Sequence, residues 1–134
     1  MKLQQGDWQA LICSEQGAAF SSLRWRGRDI LAPTPEGARH PGSYGAFWML
    51  PWANRLDGGR IAGHAMPINR PAEGTAIHGL ARDLLWEVTS AAPDQVVLQQ
   101  RLTFAPFDYT ARLMVSLDAD GVLMEMELRH EGAA

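Results

Sequence analysis

The chain of 134 residues is predicted to fold as an all-β sandwich or barrel, and three observations carry that prediction. Its last third alternates apolar and polar residues with a period of two. Its apolar runs are short and are separated by Gly-, Pro- and Asp-rich turns. No window of about twelve residues or more keeps apolar residues at helical spacing without a Pro or Gly interrupting it.

Taken in order, "WQALIC" (8–13) and "AAFSSLRW" (18–25) read as strands, and "RGRD" (26–29) turns the chain into a third short run, "ILA" (30–32). Residues 33–45, "PTPEGARHPGSYG", read as a loop. The stretch "GRIAGHAMPIN" (59–69) reads as a small hairpin turning at Gly63-His64, and "LLWEVTS" (84–90) starts a sheet that later strands extend. In "VVLQQRLTF" (96–104), Val96, Leu98, Leu102 and Phe104 share one parity with Gln100. Ala111, Leu113, Val115 and Leu117 share a side of the next run, and Val122, Met124, Met126 and Leu128 a side of the last. Between those two runs "DADG" (118–121) is a tight-turn signal, which makes them an antiparallel hairpin.

Composition narrows the function. With 46% apolar and 20% charged residues the chain is globular rather than disordered, and its length fits one domain. The formal charge is −3 and Lys2 is the single lysine, so no basic stripe exists and nucleic-acid binding is not expected. Cys13 is alone, which excludes an internal disulfide and a zinc-type cysteine cluster and fits a reducing, cytoplasmic setting. The longest apolar run, "AFWMLPWA", is too short to span a bilayer, and the N-terminus has no signal-peptide pattern; no membrane association is expected.

Two stretches, "PWANRLDGGRI" (51–61) and "AIHGLARDLLW" (76–86), hold the candidate chemistry. The Arg55 guanidinium offers a planar fork of donors suited to sugar hydroxyls, a carboxylate or a phosphate; its plain alternative is a surface pair with Asp57. Asn54 either joins it or caps the loop. His78 can donate to or take a proton from a hydroxyl near neutral pH, or simply hold its loop, and Gly79 permits a sharp turn and leaves space beside the imidazole. Trp48 and Trp52, beside the Asn-Arg pair, are better placed to stack on a ligand than Trp8, Trp25 or Trp86, and Trp86 reads as core. His40, His64 and His130 have no supporting context. No metal is predicted, because no His, Cys or carboxylate set has ligand spacing. Neither a nucleophile elbow nor a phosphate-binding glycine loop is present.

Order and combination add what single residues do not. "GSYG", "PWANRL", "GGRI", "MPIN", "IHGLARD" and "WEV" follow one another between Gly42 and Val88, and in this the chain resembles the aldose 1-epimerases, or galactose mutarotases. The flanking "GRDIL" and "LDADGVLMEMELRHEG" extend the resemblance to nearly the whole chain. It implies a galactose mutarotase-like β-sandwich and interconversion of the α and β anomers of a hexose by acid/base ring opening, with no cofactor. By matching motif, Arg55 and His78 are the substrate-holding pair, with His78 near the ring oxygen or C6 hydroxyl. Asn54 shapes the loop, and Arg82 either borders the pocket or pairs with Asp83; Trp52 joins the substrate-binding candidates from its place beside the Asn-Arg pair rather than from the motif match.

The family's general acid, a second His in a His-Pro-aromatic segment, and its base, a late Glu, match nothing in this chain; His130 and Glu131 lie in an expected loop and match no motif. The resemblance therefore implies an N-terminal portion, truncated on its C-terminal side, that carries only the substrate-holding half of the site. Its strand edges and apolar residues such as Leu113, Val115, Met124 and Met126 are expected to lack partners, which predicts a homo-oligomer. Two other readings stay open: a non-catalytic carbohydrate-binding module, and a hexose-6-phosphate 1-epimerase relative, in which "HGLAR" has a counterpart and arginines hold the phosphate.

Overall fold

The structure, a computed structural model, describes residues 1–132. Two four-stranded antiparallel sheets face each other. The first contains β1 (Lys2–Gln5), β2 (Trp8–Cys13), β3 (Ala19–Trp25) and β4 (Arg28–Asp29), in that spatial order. Two small ribbons follow: β5 (Arg55–Asp57) pairs with β8 (Thr75–Ile77), and β6 (Arg60–Ile61) with β7 (His64–Ala65). The second sheet contains β9 (Glu87–Ala91), β10 (Gln95–Phe104), β11 (Phe107–Leu117) and β12 (Val122–His130), each strand beside its sequence neighbour.

The period-two pattern fixes which face is buried. On β11, Ala111, Leu113, Val115 and Leu117 point into the core, and across the β10–β11 ladder they meet the buried Val96 and Leu98. Leu3, Ala10, Ile12, Phe20 and Leu23 of the first sheet close the same core, with Trp86 fully buried among them. Each of the larger of these, the Leu, Ile, Val and Phe side chains, contributes about 1.5–3 kcal/mol on burial, which makes this the main source of stability. Leu113 and Val115 are therefore covered by the facing sheet, contrary to the expectation that they lack partners; Met126 is partly buried. The uncovered apolar residues lie instead on the edge strand β12, where Leu123, Met124 and Leu128 are each about half exposed.

Three local readings shift. The third run is β4 at Arg28–Asp29 rather than "ILA": the N–H groups of Ile30 and Leu31 both turn back to the Leu23 carbonyl, which ends the ladder. The small hairpin turns at Ala62-Gly63, both at positive φ, because His64 already pairs with Ile61. His130 is the last residue of β12, opposite Tyr109, and not part of a loop. β1 has one buried residue, Leu3, so it left no alternation to read.

Candidate functional site

The β5–β8 ribbon explains why residues distant in sequence come together. Arg55 lies opposite Ile77 at one end of this ladder, so the next residues out, Asn54 and His78, face each other. They close the ribbon by two bonds: the His78 N–H donates to the Asn54 carbonyl (3.0 Å), and the Asn54 N–H donates to His78 Nδ1 (3.1 Å). Both residues take positive φ, 63° for Asn54 and 64° for His78, a region in which Asn and His are over-represented. Asn69, from "MPIN", steadies the other side of β8: its amide donates to the Ile77 carbonyl (3.0 Å) and accepts from the Ile77 N–H (2.7 Å).

The bond from the Asn54 N–H to His78 Nδ1 sets the imidazole's chemistry. A nitrogen that accepts from a backbone N–H carries no proton, so the ring hydrogen sits on Nε2, which becomes a donor. Partial burial pushes the His78 pKa below its ordinary value, and the charges of Arg82, Arg55 and Arg70 push the same way. The residue is thus a neutral donor rather than a cation. Gly79 has φ 71°, and the space where a Cβ would stand is filled by the Leu50 backbone rather than left open beside the imidazole. The Leu50 carbonyl accepts from the N–H groups of Leu80 (2.7 Å) and Ala81 (3.1 Å), joining the "PWANR" and "HGLAR" loops.

Arg55 pairs with Glu73 (Nε to Oε2, 2.6 Å) rather than Asp57, and its Nη1 reaches Asn54 Oδ1 at 3.3 Å. Arg82 lies on a 3-10 turn over Ala81–Asp83 and is only 5% exposed. The sequence left a choice between bordering the pocket and pairing with Asp83. The structure shows the pair, Nε to Oδ2 at 3.2 Å, with the guanidinium carbon 5.9 Å from the centre of the Phe47 ring. Phe47 also lies 5.7 Å from the His78 ring, so it stands between the two cationic or donor side chains. The turn carrying Arg82 is anchored to the core. Its Ala81 carbonyl accepts from Trp86 Nε1 (3.2 Å) and from Gln100 Nε2 (3.3 Å), which gives a polar residue on the core face of β10 its purpose.

Asn54, Arg55, His78 and Arg82 are therefore brought into one neighbourhood. Trp52 is not: it is buried with Met66 and Ala76, and its ring stacks on Phe107 at 6.0 Å. Trp48 likewise packs on Phe20 and donates to the Ala18 carbonyl (3.0 Å). Phe47, Asn69, Arg70 and Glu73 escaped the sequence reading of individual residues; "MPIN" alone marked its neighbourhood. Among the described residues no cluster of three or more His, Cys, Asp or Glu side chains is arranged to hold a metal ion. No helix among them is long and apolar enough to cross a membrane.

Comparison with known proteins gives this arrangement a context. The family model "Aldose 1-epimerase" matches residues 1–133. The uncharacterized protein YihR of Escherichia coli K12 is 28% identical over 141 residues, covering 98% of this chain and 45% of that protein. A putative aldose 1-epimerase from Escherichia coli K12 superposes with a TM-score of 0.85 at 19% identity, over 98% of this chain and 46% of the other. A galactose mutarotase-like protein from Lactobacillus casei gives a TM-score of 0.80 at 17% identity, over 100% and 45%. The fold is thus the galactose mutarotase-like sandwich, and the chain spans just under half the length of these relatives. A family match that runs through both sheets and the ribbon between them shows that the chain belongs to the aldose 1-epimerase family.

Proposed function

We propose that this chain forms the substrate-holding side of a hexose mutarotase site. The observation that supports this best is the Asn54–His78 closure, which leaves a neutral imidazole with its Nε2–H available as a donor beside the Arg55 guanidinium. In mutarotation a base removes the proton from the C1 hydroxyl, the C1–O5 bond breaks with its electron pair moving to O5, and O5 takes up a proton. The aldehyde then rotates about C1–C2 and closes to the other anomer. A donor on the ring oxygen or C6 hydroxyl and a fork of donors on neighbouring hydroxyls hold the sugar while its charge shifts, a role that fits His78 and Arg55. Asn54 shapes the loop and Arg82 borders the site through Phe47, while Trp52 supports the ribbon from beneath. General acid and base groups each contribute ~10²–10⁴-fold, and neither is assigned to a residue of this chain. The chain by itself is accordingly expected to hold a hexose while adding little to spontaneous mutarotation.

Polarimetry on fresh α-D-glucose and α-D-galactose, paired with NMR titration of both sugars, tests this. Binding that is lost in His78→Ala and Arg55→Ala supports the reading; absence of any sugar binding overturns it. Binding without activity in any extended form of the protein would favour a carbohydrate-binding module instead.

The reading includes a cytoplasmic setting, consistent with the lone Cys13, and self-association through β12. An antiparallel register centred on Leu128 would set Glu127 of each copy against Arg129 of the other while covering Leu128, so charge and apolar contact favour a second copy on this edge. Sedimentation across a range of concentrations should show a dimer that Leu128→Lys dissociates. A wild-type chain that stays monomeric throughout would refute it.

A further inference from the structure

Glu73 has no place in the roles described above, yet it touches the arginine at their centre. It ends a 3-10 turn, Pro71–Glu73, which Gly74 closes at φ 65° by returning its N–H to the Pro71 carbonyl. That turn brings the carboxylate to Arg55 Nε, and both side chains are about half exposed. The hydrogen bond from Arg55 holds the Glu73 carboxyl below its ordinary pKa, with the charges of Arg55 and Arg70 adding to it, so the group is ionised beside the site at neutral pH.

Donor arithmetic shows what this does. A guanidinium has five N–H groups. One, on Nε, goes to Glu73, and one on Nη1 reaches Asn54, which leaves three at the outer end of Arg55. The Nε edge is therefore closed to a second anion. The charge count points the same way: Arg55, Arg70 and Arg82 are opposed by Glu73 and Asp83, and His78 is held neutral. Without Glu73 the same cluster would be a stronger anion site with a free arginine edge.

We propose that Glu73 determines the substrate class of this site. By occupying the Arg55 Nε–H and offsetting its charge, it aims the remaining donors at neutral hydroxyls and disfavours a phosphorylated hexose. The inference rests on the hexose reading of the site given above. A phosphate group brings a charge of about −1.5 to −2 and would meet the Glu73 carboxylate across the same guanidinium.

The test is NMR titration of the full chain and of Glu73→Gln and Glu73→Asp with glucose and with glucose 6-phosphate, at low and moderate salt. Glu73→Gln should shift the ratio of the two dissociation constants toward the phosphate ester by roughly three- to tenfold, less at higher salt. Glu73→Asp, which keeps the charge, should retain most of the native preference. The Arg55 Nε–H resonance should move and exchange faster in Glu73→Gln, a positional readout independent of any sugar. Glucose binding with an unchanged ratio in Glu73→Gln overturns this proposal and leaves the hexose reading intact. Weaker glucose binding with no gain for the phosphate ester also overturns it, since Glu73 would then only position Arg55. If none of the chains binds either sugar, the hexose reading fails and the specificity proposal falls with it.

Discussion

The sandwich and the ribbon are built on different principles. The two four-stranded sheets are held by apolar side chains buried between them, which alternate most regularly along the long strands β10 and β11. The ribbon of β5 and β8 has three residues in each strand, and its end is held by backbone-to-side-chain hydrogen bonds and by residues at positive φ. Stability resides mainly in the first region, and the geometry of the candidate site in the second. Where they join, through Ala81 and its two donors Trp86 and Gln100, a single change should reach both.

The sharpest way to break this division is Trp86→Ala. The side chain is fully buried and also holds the Ala81 carbonyl, so the loss should be about 3–5 kcal/mol and should loosen Arg82 as well. Urea unfolding would measure it, and a loss below about 1 kcal/mol would refute the assignment of Trp86 to the common core. Gly79→Ala comes next. The substitution strains a φ of 71° and drives a Cβ into the Leu50 backbone, so a penalty of about 1–3 kcal/mol is expected. Its signature should be local: amide exchange should accelerate in residues 50–55 and 77–81 before it does in β10 and β11.

The smallest effect concerns pH. The folded-state pKa of His78 lies below the ordinary imidazole value of 6.5, so below that value the unfolded chain binds more protons than the folded one. His78 therefore contributes stability that is fully present above pH 6.5 and lost as pH falls through its lowered folded pKa. Protonation of Nδ1 would also remove the acceptor for the Asn54 N–H. Melting curves between pH 7.5 and 5 should show a loss that His78→Asn reduces; identical pH profiles for the two proteins would contradict it.

How much the sequence revealed follows the same division. Alternation made β10 legible to within one residue, including Gln100 on the core parity, and gave the buried face of β11 although that strand starts three residues earlier than read, because burial leaves a period that can be counted. Asn54, Arg55, His78 and Arg82 were singled out through ordered motifs as candidates, and in the structure they lie in one neighbourhood. Glu73 and Phe47 were not found. Their contacts depend on loops that carry no period, and a lone Glu after "RPA" or a Phe inside an apolar run looks like many others. Trp52 was singled out by closeness in sequence to Asn54, which does not determine packing: its ring is buried with Met66 and Ala76 and stacks on Phe107 of the second sheet.

The bond between Asn54 and His78 spans a sequence separation of 24 residues and is fixed at both of its ends. Everything between is an excursion that leaves the clasp and returns to it, touching the site through Arg70 and Glu73 alone among the charged groups that face Arg55 and His78. At its tip, the Ala62-Gly63 turn, nothing stands within 4 Å of where a Gly63 Cβ would be, so a change confined to that turn is expected to leave the two clasp residues in place. The excursion is the part of the molecule where new ligand preferences can be acquired by grafting, and where a designer would begin.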